Sequence, residues 1–127
     1  MPGQDIREFN GLAEPRIGRI VTTDSDAWHA SIALSGEIDG AAAPALRREV
    51  RRHLRAGRRV IRIDAGAVTF VDSLALGALA AASVRCAGVQ GSLILINVPP
   101  CVRRIIQLTG LESVLLIDTA PDQTAGI

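Results

Sequence analysis

Phe70-Val71-Asp72-Ser73-Leu74-Ala75-Leu76-Gly77 is the stretch in which an apolar strand turns into a helix. Val68 to Val71 are mostly β-branched or aromatic and read as a strand end, whereas Leu74 to Ala82 are rich in the strong helix formers Ala and Leu. Asp72 and Ser73 fall at the junction, where side-chain oxygens cap the free N–H groups of a first helical turn. A phosphate on Ser73 would meet those N–H groups and the positive end of the helix dipole. It would also set a charge of about −2 on an uncharged, apolar helix start, which is the chemistry of a switch. The plainer reading of the same residue is an ordinary capping serine.

Outward from this corner, strands and helices alternate. Upstream, Ile17 to Thr22 reads as an edge-like strand, Asp24-Ser25-Asp26 as a turn, and Trp28 to Leu34 as a strand with one buried face. Gly36-Glu37-Ile38-Asp39-Gly40 follows as a loop. A helix begins near Pro44 and buries Leu46, Val50 and Leu54, showing arginines on its other face until Gly57. Val60, Ile61 and Ile63 form a short buried strand closing at Asp64. Downstream, the helix after Ser73 stops near Gly88, and Leu93 to Ile96 is an apolar strand of the parallel-sheet kind. A third helix runs from Pro99-Pro100 to about Thr109 before Gly110, and Val114 to Ile117 is a last short strand. This order predicts an α/β fold: βαβ crossovers in a mixed, mostly parallel sheet of four to five strands, with helices packed mainly on one side. Residues 16–118 form the single domain, between a flexible tail at 1–15 and a C-terminal tail at 119–127.

Composition narrows the function. The 127 residues are 48% hydrophobic and 21% charged, with one Trp, two Phe and no Tyr, so base or sugar stacking is a poor fit. Net charge is +1, and all fourteen basic residues are arginines. Eight of these lie in the stretch 47–62, but Glu49 and an apolar stripe interrupt them, which predicts a solvated face rather than a nucleic-acid site. The sequence shows neither a signal peptide nor a membrane-length apolar run, so a cytoplasmic protein without membrane contact is expected. Asp39, Asp64 and Asp72 at strand ends lack nearby His or Cys, and His29 and His53 lack triad spacing and read as partly exposed structural residues. The expectation is therefore no metal, no cofactor and no enzyme activity. Cys86 and Cys101 are read as inert thiols, a redox bridge between them being the speculative alternative.

Gly36-Glu37-Ile38-Asp39, then Phe70-Val71-Asp72-Ser73 with Leu76-Gly77, then Leu108-Thr109-Gly110-Leu111 resemble, in this order and spacing, the three landmarks of STAS domains, the sulphate-transporter and anti-sigma-factor-antagonist family. The similarity spans roughly residues 17–118, and the single-domain format looks most like the bacterial anti-sigma factor antagonists (anti-anti-sigma factors). That resemblance implies transcription regulation by protein–protein interaction. It implies further that the domain binds an anti-sigma factor serine kinase and releases a sigma factor, that the kinase phosphorylates Ser73, and that a serine phosphatase restores it. It implicates Glu37, Asp39, Asp72, Ser73, Leu74, Leu76 and Gly77 in partner binding. The family usually places a small hydroxyl residue and then glycine after the acceptor serine. Here Leu74-Ala75 makes a bulkier, stiffer first turn, which leaves open a constitutive antagonist. The alternative role, also carried by STAS domains, is an accessory subunit that binds the ATPase of a lipid-transport ABC system.

Overall fold

A computed structural model describes residues 18–118. The elements are β1 (Arg19–Ser25), β2 (His29–Ile38), α1 (Ala43–Arg55), β3 (Val60–Val71), α2 (Ser73–Gly88), β4 (Ser92–Ile96), α3 (Pro100–Thr109), a 3-10 turn at Leu111–Ser113, and β5 (Leu116–Ile117). The expected tails at 1–15 and 119–127 lie outside the described residues. The five strands form one sheet in the order β1-β2-β3-β4-β5, with β1 antiparallel to β2 and every later neighbour parallel. Because spatial order follows chain order, successive right-handed crossovers all turn the same way and lay their helices on the same face. That face is the core. Ala30, Ile32, Leu34 and Ile38 of β2, Ile61 and Ile63 of β3, and Leu93 and Leu95 of β4 are buried beneath Leu46, Val50, Leu76, Leu79, Val102 and Ile106 of the helices. The expected α/β fold, mixed sheet and one-sided helix layer are thus all present. Among the described residues, the same progression leaves no point where strand order reverses, the place at which doubly wound folds hold small ligands.

Several local readings change. The strand expected to close at Asp64 continues to Val71 as one 12-residue element. Its pairing with β2 shifts twice, so that Asp64 to Val71 spans seven steps against five from Ala33 to Ile38. These two bulges turn the buried positions from a two-residue rhythm at Ile61, Ile63 and Ala65 to Val68 and Val71. Gly66 makes the first bulge affordable. A Cβ there would lie 3.1 Å from Asp64 Oδ1 and 3.3 Å from Asn97 Cβ, and the Gly66 N–H donates to that Asp64 oxygen at 2.9 Å. Gly36, Glu37 and Ile38, read as loop, complete β2. Trp28, read onto a buried strand face, is 53% exposed and lies in the turn before β2, where its N–H donates to Asp26. The Asp26 carboxyl also accepts from the His29 N–H, and these two backbone bonds hold its pKa below the usual range.

Candidate functional site

The strand-to-helix corner is assembled by Asp72. Its backbone is extended, and its Oδ1 accepts from the Ala75 N–H at 2.8 Å, capping α2. Its Oδ2 accepts from the Gly40 N–H at 3.0 Å, and its own N–H donates to the Ile38 carbonyl at 3.3 Å. One carboxylate therefore clamps the end of β2 to the start of α2, bringing the Glu37–Gly40 segment beside Ser73. Asp39 braces that segment, its Oδ1 accepting from the Ala41 N–H at 3.1 Å. Gly36 turns the chain at φ +76°. Two of the three strand-end carboxylates, Asp39 and Asp72, are thus engaged by backbone donors. Asp64, likewise, accepts from Gly66 N–H and from Asn97 Nδ2 at 3.2 Å.

Ser73 is the first residue of α2, exposed, and its hydroxyl makes no hydrogen bond within the described residues. It is not the capping residue, because Asp72 does that work. Leu74 is 68% exposed and folds over Gly40, where a Cβ would come 2.7 Å from Leu74 Cδ1. Phe70, half exposed, is the register partner of Glu37; since Ile38 and Val71 next to them are buried under the helices, alternation directs both to the opposite sheet face. An apolar recess of about 130 Å³ opens beside Phe70, lined by Thr69, Val71, Cys101, Val102 and Ile105. Along α2, Leu74, Gly77, Ala81 and Val84 form an exposed stripe of helical spacing, while Ala75, Leu76, Ala78, Leu79, Ala82 and Cys86 face the core.

The structure therefore sorts the sequence-derived residues. Glu37, Asp39, Asp72, Ser73, Leu74 and Gly77 share one rim and keep some surface. Leu76 is corrected: it is fully buried, so it supports the rim from beneath and no partner reaches it. His53 is a second correction, being fully buried under β1 rather than partly exposed, whereas His29 is exposed. Both cysteines are free thiols. Cys86 is buried, which pushes its pKa up to about 11, and Cys101 is exposed. Sequence reasoning missed Gly18, where a Cβ would come within 2.2 Å of the Glu37 carbonyl oxygen. The start of β1 thus presses on the rim, a close approach for which a lone glycine before a strand is the only sequence signal.

The family model described as "Mlab, STAS domain" matches residues 21–118, which takes in every element except the first two residues of β1. The chain belongs to the STAS domain family. This STAS chain is 27% identical over 103 residues to the anti-sigma-B factor antagonist of Listeria monocytogenes, covering 81% of this chain and 90% of that one. Its fold is similar to the crystal structure of an anti-sigma factor antagonist from Mycobacterium paratuberculosis, with a TM-score of 0.72, 28% identity, and coverage of 88% and 94% of the two chains. The anti-sigma factor antagonist SpoIIAA in its unphosphorylated form shares the fold at a TM-score of 0.68 and 24% identity, over 86% of this chain and 98% of that one. These homologues are anti-sigma factor antagonists. Among the described residues, no helix of this STAS domain is long and apolar enough to cross a membrane.

Proposed function

We propose that this STAS domain is an anti-sigma factor antagonist that binds an anti-sigma factor serine kinase and so releases a sigma factor, with phosphorylation of Ser73 turning the contact off. The observation that carries the reading is the Ser73 hydroxyl, exposed and unbonded at the apex of an apolar rim. The cap from Asp72 takes the Ala75 N–H, and the N–H groups of Ser73 and Leu74 belong to the same unpaired first turn. A phosphate there meets these donors locally, yet presents its charge to the exposed stripe begun by Leu74 and Gly77. Leu74 gives the partner an apolar anchor, Asp39 and Glu37 supply charge beside it, and Leu76 holds the turn in place. No catalytic group, metal or cofactor has a part in this scheme; a serine phosphatase resets it. The arginines of α1 stay a solvated face, with no nucleic acid or membrane contact, as suits a cytoplasmic regulator.

Burying an added charge against an apolar contact costs roughly 1–3 kcal/mol, or about 5- to 150-fold in affinity. The test pairs a kinase captured from native lysate with ATP and two variants. Wild type takes up phosphate and Ser73→Ala does not, while Ser73→Asp weakens kinase binding by at least fivefold with an unchanged circular dichroism spectrum. Equal affinity of Ser73→Asp and wild type overturns the docking mode. Wild type that binds the kinase yet takes up no phosphate from ATP overturns the switch and identifies a constitutive antagonist, the alternative left by the bulkier Leu74-Ala75 turn. A second reading rests on the description of the matching family as that of Mlab: an accessory subunit on the ATPase of a lipid-transport ABC system. Co-purification with a transporter ATPase in place of a soluble kinase selects it.

A further inference from the structure

His53 is fully buried at the end of α1, beneath the edge strand β1, and both of its ring nitrogens are engaged. Nδ1 lies 3.2 Å from Nη1 of Arg58, which follows α1. A guanidinium only donates, so Nδ1 must accept and the ring proton belongs on Nε2. Nε2–H then donates to Thr22 Oγ1 of β1 at 2.8 Å, and the Thr22 hydroxyl donates in turn to Glu49 of α1. Arg52 closes the chain, donating to both Glu49 oxygens at 2.7 and 3.3 Å. Arg52 Nη2 also lies 3.4 Å from Nε2 and donates to Thr22 Oγ1 at 3.3 Å; the shorter contacts, 3.2 Å at Nδ1 and 2.8 Å at Nε2, place the protons as Arg58 to His53, His53 to Thr22 and Thr22 to Glu49.

That direction works only with a neutral imidazole. Adding a proton at Nδ1 removes the acceptor and turns two donors toward each other across 3.2 Å. Among the described residues, the charges facing the ring are Arg52 on its own helix, Arg58 on the following loop, and the single carboxylate Glu49, whose Oε2 is 3.6 Å from Nε2. Asp26, from the β1–β2 turn, meets Arg58 only through its backbone carbonyl, at 2.8 Å from Nε. Two cations against one carboxylate disfavour a third positive charge. We infer that His53 is an acid-operated latch: neutral, it fastens β1 to α1 through Thr22; protonated, it releases that edge strand. Beyond this latch, among the described residues, β1 pairs with β2 alone, in a ladder interrupted by a bulge between Thr22 and Asp24. Its first neighbour, Gly18, lies against Glu37, so release reaches the rim whichever partner the rim takes.

The direction of the pH effect follows. Burial first, and then Arg52 and Arg58, hold the His53 pKa below its ordinary value. A histidine with a depressed folded pKa contributes stability above its unfolded pKa of about 6.5 and loses it as pH falls below that. Glu49, held down to about 2 chiefly by Arg52, stays ionised throughout this range. The test is amide hydrogen exchange by NMR on the full chain between pH 7.5 and 5.0, expressed as protection factors. In wild type, protection of Ile20 to Asp24 falls at least tenfold relative to Leu93 to Leu95. In His53→Gln, whose amide can accept from Arg58 and donate to Thr22 but does not titrate, it stays flat. His29→Gln, which removes the other histidine, behaves as wild type. A fall that persists in His53→Gln, one that His29→Gln abolishes, or parallel loss in β1 and β4 overturns the latch. Ring 15N shifts of wild type at pH 7.5 give an independent reading: the Nε2–H tautomer is expected, and Nδ1–H or a charged ring refutes it.

Discussion

Replacing Asp72 by alanine removes two hydrogen bonds of different kinds, and the cost of each can be separated. The first is the helix cap on Ala75 N–H at 2.8 Å, worth about 1 kcal/mol. The second is the bond from Gly40 N–H at 3.0 Å, made to an ionised, half-buried carboxylate and worth about 1.5 kcal/mol. The favourable position of a negative charge at the N-terminus of α2 adds roughly 0.3 kcal/mol after solvent screening. Asp72→Ala is therefore expected to lose about 2.5–3 kcal/mol, lowering Tm by roughly 10 °C for a domain of this size. Serine at position 72 keeps a capping oxygen but is too short to reach Gly40 and carries no charge, so Asp72→Ser should lose about two thirds as much. Urea unfolding at pH 7, with equal m-values for the three proteins, measures both differences. An Asp72→Ala loss below about 0.5 kcal/mol refutes the clamp, since this is the scale of an ordinary surface substitution. Identical losses for the serine and alanine variants would show that the cap contributes nothing.

Two further comparisons use neighbours with opposite surroundings. Leu76→Ala empties a fully buried site and should cost about 3 kcal/mol in urea unfolding, whereas Leu74→Ala should stay within about 0.5 kcal/mol of wild type and instead weaken partner capture in a pull-down. Similar stability losses for the two would contradict their assignment to opposite faces of α2. Gly77 faces open space within a helix, so Gly77→Ala should gain about 0.5–1 kcal/mol, while Gly18→Ala drives a Cβ against the Glu37 carbonyl and should lower Tm. A neutral Gly18→Ala would mean that the start of β1 yields without cost, and it would sever the link between that strand and the rim.

Much of the arrangement was legible because it is local. The alternation of Ala30, Ile32 and Leu34, the stripe of Leu46 and Val50, and the left-handed Gly110 that ends α3 at φ +74° are all properties of neighbouring residues. The β2 and β3 boundaries were not legible, because Gly36 and Gly66 look like breakers until a paired strand alongside absorbs them as an unusual turn of backbone and as a bulge. Within α2, the run Leu74 to Ala82 carries no polar residue to mark its outer side. Only packing against the sheet and the neighbouring helices assigns Leu76 inward and Leu74 outward.

From the chain alone came the order of elements, the aliphatic core, and a hydroxyl at a strand-to-helix corner, since each depends on residues a few positions apart. The tertiary structure alone decided which oxygen caps α2, which leucine lies exposed, and that His53 is sealed beneath β1. Those outcomes depend on contacts between residues some thirty positions apart, Gly40 with Asp72 and Thr22 with His53. Sequence periodicity does not encode such pairings; the path of the chain through the sheet does.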